Sequence, residues 1–298
     1  MKKKLLVTGF GGFVAGSVIA HAKDDWEVHA VDRIDIPEKQ NGINYYSLDL
    51  LDNEKLTKLF KEINPDAVIH TAALADIDFC QNNQEIAEKV NVGVTKAIAD
   101  LCGQSGAKMI VCSTDTVFDG KKGMYTEEDS PNPINFYAET KVKAEEIVGA
   151  LDNSVVTRLS LVMGLPVMGS GNSFLAKTIT KLKLGESVKF PANEIRTPVD
   201  VITLGSSLVE LAENDFTGII HLSSNTRINR FEMAQQIAEK LGYSKDLIIA
   251  SDSNAMEGRA PRPNDASLDN SLAKKELNTP MRTLMEGLEL TMNFKLEK

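Results

Sequence analysis

The sequence predicts an α/β fold: a doubly wound parallel sheet with a smaller, discontinuous C-terminal substrate-binding part. Three observations carry this. Short apolar runs without alternation recur through residue 162, as in strands buried on both faces. Helix-like stretches separate them, which is the βαβ rhythm of a parallel sheet. The first run meets a glycine-rich turn and then a helical stretch.

Bulk properties narrow the class. The chain has 298 residues, enough for one large domain or two small ones. A net charge of −9 with no basic patch argues against nucleic acid as a partner. No stretch approaches the roughly 20 apolar residues of a membrane span. Lys2-Lys3-Lys4 is followed by an apolar run too short for a signal peptide, and Gly9 to Gly12 interrupt it. Cys80, Cys102 and Cys112 read as reduced thiols, placing the protein in the cytoplasm. The four histidines form no ligand pattern, so no metal is expected.

The elements follow in order. Residues 4–8 predict the first strand, and Ser17 to Ala22 a helix. Between them, Gly9 and Gly12 let the backbone approach a pyrophosphate. The helix start, beside Phe13 and Val14, attracts its charge. The spacing G-x-x-G-x-x-A differs from the G-x-G-x-x-G form. Residues 27–31 predict a second strand, ending at Asp32. An acid there suits the ribose hydroxyls of NAD, while Arg33 beside it leaves NADP open. The turn at Asp49 and Leu50 is assigned near the adenine, with Asp52 or Asn53 capping a helix over 53–62. Residues 66–70 predict the next strand. Thr71, Ala72 and Ala73 leave it with small side chains, against which a ligand can lie. A long helix over 82–104 buries Val90, Val94, Ile98 and Leu101 at helical spacing. Asn91 within it is a candidate for orienting the helix of the next motif.

That motif is the centre of the chain. Residues 108–112 predict a strand that delivers Ser113-Thr114-Asp115 into a loop. Behind Pro131 and Pro133, Tyr137-x-x-x-Lys141 opens a helix. The i, i+4 spacing puts phenol and ammonium on one face. A neighbouring cation favours the phenolate, so the Tyr137 pKa is expected below its usual value of about 10. A tyrosine so tuned passes protons near neutral pH. A hydroxyl from the strand end and a phenol from the helix start can thus meet on one substrate oxygen.

Residues 154–162 predict a further strand. A Gly/Pro loop over 163–172 then breaks the rhythm, long enough to be functional. A helix over 173–184 and short extended stretches at 188–190 and 194–199 follow. Residues 200–214 read as helix and 218–223 as a last strand of the main sheet. The expected division is a dinucleotide-binding domain of 1–162 plus 200–224, and a substrate-binding domain of 163–199 plus 225–298.

Over nearly its whole length the chain resembles the extended short-chain dehydrogenase/reductases, and most closely the dTDP-4-dehydrorhamnose reductase family. The segments that carry the resemblance are TGFGGFVAG, STDTVFDGKKGMYTEEDSPNPINFYAETK, RTPVDV and RPNDASLD. It implies a Rossmann domain binding NADPH or NADH, with contacts at Gly9, Gly12, Asp32 and Lys141. It implies a catalytic triad of Thr114, Tyr137 and Lys141, and substrate contacts at Thr116, Asn172 and Arg262. The implied activity is reduction of a nucleotide-linked 4-keto-6-deoxy sugar, as in dTDP-rhamnose biosynthesis. An arginine such as Arg262 would clamp the diphosphate. Two departures concern the sugar: Thr116 stands where the family usually carries Tyr, and Gln81 where an acid is common. No Glu follows Thr114-Asp115, which speaks against a dehydratase. Two other readings stay open, a nucleotide-sugar epimerase and a non-catalytic subunit like that of methionine adenosyltransferase. The oligomeric state is also open, a homodimer included.

Overall fold

Seven strands form one parallel sheet in the computed structural model, which describes residues 2–35, 42–168, 171–255 and 257–295. They are β1 Lys4–Thr8, β2 Glu27–Asp32, β3 Ile43–Ser47, β4 Ala67–His70, β5 Lys108–Thr114, β6 Ser154–Leu159 and β7 Gly218–Leu222. Their spatial order is β7-β6-β5-β4-β1-β2-β3, with every neighbouring pair parallel. This is the Rossmann arrangement. The strand order reverses between β1 and β4, and such a reversal opens a crevice at the carboxyl ends of the strands.

Alternation along each strand feeds two cores. Leu5, Val7 and Val28 pack with the helices Phe13–Ala22 and Val201–Glu213. Leu6, Val31 and Val68 pack on the other face with Asn53–Ile63 and Thr95–Ser105. Both faces are therefore dry, which is why the strands read as continuous apolar runs.

Three features differ from the sequence expectation, and a fourth adds to it. The edge strand β3 was unforeseen; Tyr45 packs on one core and Tyr46 on the other, so only half its surface is buried. The helix expected over 82–104 is not continuous. It divides into Ile77–Asn82, Gln84–Glu88, a π-helical turn Lys89–Val94, and Thr95–Ser105. A π turn holds an extra residue without breaking the apolar stripe, so periodicity does not reveal it. The strand expected over 154–162 stops at Leu159. Val162–Met163 leaves the sheet to pair with Val199–Asp200. Finally, the loop over 163–172, of which 169 and 170 lie outside the described residues, folds against the first helix. A Cβ on Gly16 would sit 2.9 Å from the Met168 carbonyl oxygen, so glycine is what permits the contact.

Beyond the sheet, Met163, Leu175, Ile228, Met233 and Leu288 form a separate apolar cluster, and Leu182, Phe190, Ala238 and Ile248 another. On these clusters we propose the two-part division expected from sequence. Ala273, Leu277 and Met281 pack into the sheet core instead, so the parts share apolar contact.

Candidate active site

A cleft of about 570 Å³ lies at the carboxyl ends of β1, β4, β5 and β6. One wall begins at the glycine turn. Gly9 has φ +79°, and a Cβ there would lie 3.0 Å from the Ala72 backbone. The helix Phe13–Ala22 starts at Gly12 with no side-chain cap, and Gly11, Gly12, Phe13 and Val14 line the cleft. Uncapped N–H groups on a glycine turn suit a phosphate. Thr71 and Ala73 line the same wall. Gly9, Ala72, Asp32, Arg33, Asp49 and Leu50 lie outside the lining. Asp32 accepts N–H bonds from Gly11 (3.0 Å) and Arg33 (2.7 Å) through separate carboxylate oxygens. Arg33 and Asp49 are exposed, and Leu50 packs against the second core.

The triad residues come from two elements. Thr114 ends β5, and its hydroxyl accepts the Thr116 N–H at 3.2 Å, starting the short turn Asp115–Val117. Asn135 caps the helix Phe136–Gly149, which holds Tyr137 in its first turn and Lys141 one turn on. Thr114, Tyr137 and Lys141 are buried and all line the cleft.

The expected lowering of the Tyr137 pKa is not met. Burial, then the charge of Asp115, pushes the phenol above the ordinary tyrosine range, with the Thr114 hydroxyl pulling the other way. Lys141 is also fully enclosed. Burial lowers its pKa, against the opposing pull of Cys112 and Glu145. Desolvation is the largest cause at both groups and disfavours both charged forms.

A neutral network supports this wall. The Thr95 hydroxyl donates to the Asn91 carbonyl at 2.7 Å, so its oxygen accepts from His70 Nε2 at 3.2 Å. His70 Nδ1 then accepts the Thr8 hydroxyl at 2.7 Å, and Thr8 Oγ1 accepts the Ala72 N–H at 3.3 Å. Burial and the Lys141 charge push His70 down to about 3, consistent with this neutral tautomer. The Asn91 side chain donates to Thr140 Oγ1 at 3.0 Å, and Thr140 donates to the Tyr137 carbonyl at 2.6 Å. Asn91, set in the π turn, thus reaches the Tyr137 helix as the sequence suggested. Glu145 fastens the same helix from below. It accepts from Ser113 and pairs with buried Arg158 at 2.8 Å.

The opposite wall is charged. Arg196 Nε lies 3.4 Å from Asp115, Arg196 Nη2 lies 3.8 Å from Glu194, and Arg230 lies 3.0 Å from Glu194. Burial raises the Glu194 carboxyl, but Arg230 and Arg196 outweigh it and hold it low. Glu194, Arg196 and Arg230 all line the cleft. Sequence reasoning gave none of them a role: they lie far from the Tyr/Lys motif along the chain, and only Arg196 falls in a recognised segment, RTPVDV.

Thr116, Asn172 and Arg262 line the cleft too. Thr116 Oγ1 shares a 3.1 Å hydrogen bond with Thr114 Oγ1. Arg262 is 8% exposed and pairs with Asp78 at 2.9 Å, so it is no loop arginine in water. Gln81 is elsewhere: its Oε1 accepts the Phe136 N–H at 3.0 Å, at the start of the Tyr137 helix. A carboxylate could accept the same bond, so this departure from the family pattern concerns the helix end rather than the cleft.

Residues 3–295 match the family described as RmlD substrate binding domain. The Haloferax volcanii protein named probable low-salt glycan biosynthesis reductase Agl14 is 29% identical over 287 residues, 95% of each chain. The methionine adenosyltransferase 2 subunit beta of Rattus norvegicus is 28% identical over 277 residues, 90% of this chain and 80% of that one. The crystal structure of Bacillus anthracis dTDP-4-dehydrorhamnose reductase in complex with NADP has a TM-score of 0.87 at 23% identity, covering 98% and 99% of the two chains. That last likeness is one of fold. With the family match spanning almost every residue, the chain belongs to the RmlD substrate binding domain family.

Proposed function

We propose that this protein is an NAD(P)H-dependent reductase of a nucleotide-linked 4-keto-6-deoxy sugar. One observation carries the reading: Thr114, Tyr137 and Lys141 line the same cleft as an uncapped, glycine-built helix N-terminus. The glycine turn, with Gly9 and Gly12, would hold the pyrophosphate, and Asp32 the adenosine ribose. The carboxylate of Asp32 favours NADH, while exposed Arg33 keeps NADPH in play. The cofactor, when bound, supplies the hydride for the carbonyl carbon.

The protein's own part is acid catalysis. Tyr137 gives its proton to the developing alkoxide, and the Thr114 hydroxyl hydrogen-bonds that oxygen. A phenol held above its usual pKa keeps its proton throughout the neutral range. Thr116, Asn172 and Arg262 are assigned to the substrate, with Arg262 on the diphosphate.

The test is a panel of nucleotide sugars offered with NADH and with NADPH, followed by nicotinamide absorbance. Oxidation on adding a dTDP- or UDP-linked 4-keto sugar is expected. A second reading has one support, the kinship with the methionine adenosyltransferase subunit. Cofactor binding with no turnover across the whole panel would favour that non-catalytic role.

A further inference from the structure

The cap of the Tyr137 helix makes two bonds where capping needs one. Asn135 is 2% exposed. Its Oδ1 accepts the Ala138 N–H at 2.9 Å, and its Nδ2 donates to the Pro261 carbonyl at 3.0 Å. One partner is a donor and the other an acceptor, so chemistry fixes which way the amide points. An N-cap requires only the acceptor; Ser, Thr or Asp would serve as well. The donor half is surplus to capping.

Pro261 sits in a tightly held segment. The Ala260 N–H bonds Asp78 at 2.9 Å. The Arg262 guanidinium bonds the Ala260 carbonyl at 2.6 Å and pairs with Asp78 at 2.9 Å. Arg262 itself lines the cleft. A continuous path of short bonds therefore runs from a cleft-facing cation to the turn that holds Tyr137.

We infer that Asn135 is a positioning residue that couples the Arg262 loop to the helix turn carrying Tyr137. The functional meaning rests on the proposed roles of Tyr137 and Arg262. An anion that engages Arg262 competes with Asp78, shifts the carbonyl of Pro261, and so moves the turn holding the proton donor. Substrate binding and placement of the acid then become one event.

The coupling can be measured without turnover, by a double-mutant cycle on the full chain read by amide hydrogen exchange over residues 136–141. Asn135→Ser keeps a capping oxygen but is too short to reach Pro261. Arg262→Ala loosens the loop. Each single change should speed exchange about threefold or more, and the double variant no more than the larger single. Effects that multiply would overturn the inference. So would an Arg262→Ala effect that survives intact in the Asn135→Ser background, because the path would then run through Gln81. Should Asn135→Ser fail to fold, Asn135→Asp also retains the cap and opposes the Pro261 carbonyl, with the same expectations. In the catalytic arm, Asn135→Ser should lower kcat for dTDP-4-keto-6-deoxy sugar and leave the cofactor KM unchanged. If the wild type reduces no sugar, the functional reading fails, yet the exchange cycle still decides the coupling.

Discussion

The two walls of the cleft are built from opposite materials. On the glycine side, Thr8, His70, Thr95, Asn91 and Thr140 are all neutral and joined by hydrogen bonds of 2.6 to 3.3 Å. On the far side, Asp115, Glu194, Arg196 and Arg230 are charged, and two of their contacts stretch to 3.4 and 3.8 Å. A neutral, directional network holds a position at little desolvation cost. Buried ion pairs cost more to desolvate and reward that cost only with good geometry. Both long contacts belong to Arg196, whereas Arg230 holds Glu194 at 3.0 Å. One wall rests on directional bonds between neutral groups, the other on ion pairs of uneven geometry.

The largest expected effect lies where the walls meet. Tyr137→Phe removes the acid without touching either network. Reductase turnover should fall by about 10²-fold or more, with cofactor affinity unchanged. Unaltered turnover would remove Tyr137 from the proton-donor role.

A second test probes the neutral wall by acid. The folded pKa of His70 is about 3, against an ordinary value of 6.5. Between these values the unfolded chain binds a proton that the folded chain excludes. Stability therefore rises with pH through this window and is lost as pH falls below 6.5. From pH 6.5 to 4 the loss from this one group is on the order of 3 kcal/mol. Denaturant unfolding of wild type and His70→Asn across pH isolates it, because Asn offers a donor and an acceptor but does not titrate here. A difference between the two that stays flat with pH would mean that His70 is not held neutral.

The smallest effect probes Arg262, which lines the cleft outside the charged cluster and holds Asp78 at 2.9 Å. Arg262→Ala should weaken binding of dTDP by about tenfold, more at low salt, and leave NADPH binding unaltered. Equal losses for both ligands would remove Arg262 from a substrate-specific role.

How much of this was legible depends on distance along the chain. The glycine turn, Asp32 and the Tyr137–Lys141 pair are local patterns, and each could be read where it stood. Strand β3 was not, because residues 43–47 form a half-exposed edge without a buried strand's continuous apolar run. The charged wall was invisible for a different reason. Asp115, Glu194 and Arg230 come from three separate regions, and only the fold brings them together. The Tyr137 pKa went in the opposite direction from the expectation because spacing reports which neighbours a group has. It does not report how much water they exclude. Gln81 shows a similar limit: its place in the family pattern suggested the sugar, yet its bond is to the backbone of a helix end.

The π turn at Lys89–Val94 carries a consequence for how this chain can evolve. Losing one codon there would restore regular winding and swing everything before it by about 100° relative to Thr95. Asn91 would then face away from Thr140, although composition and hydrophobicity would barely change. The segment is thus exposed to a lesion that an inspection of residue types would pass over: a changed length, with every bonding side chain still present.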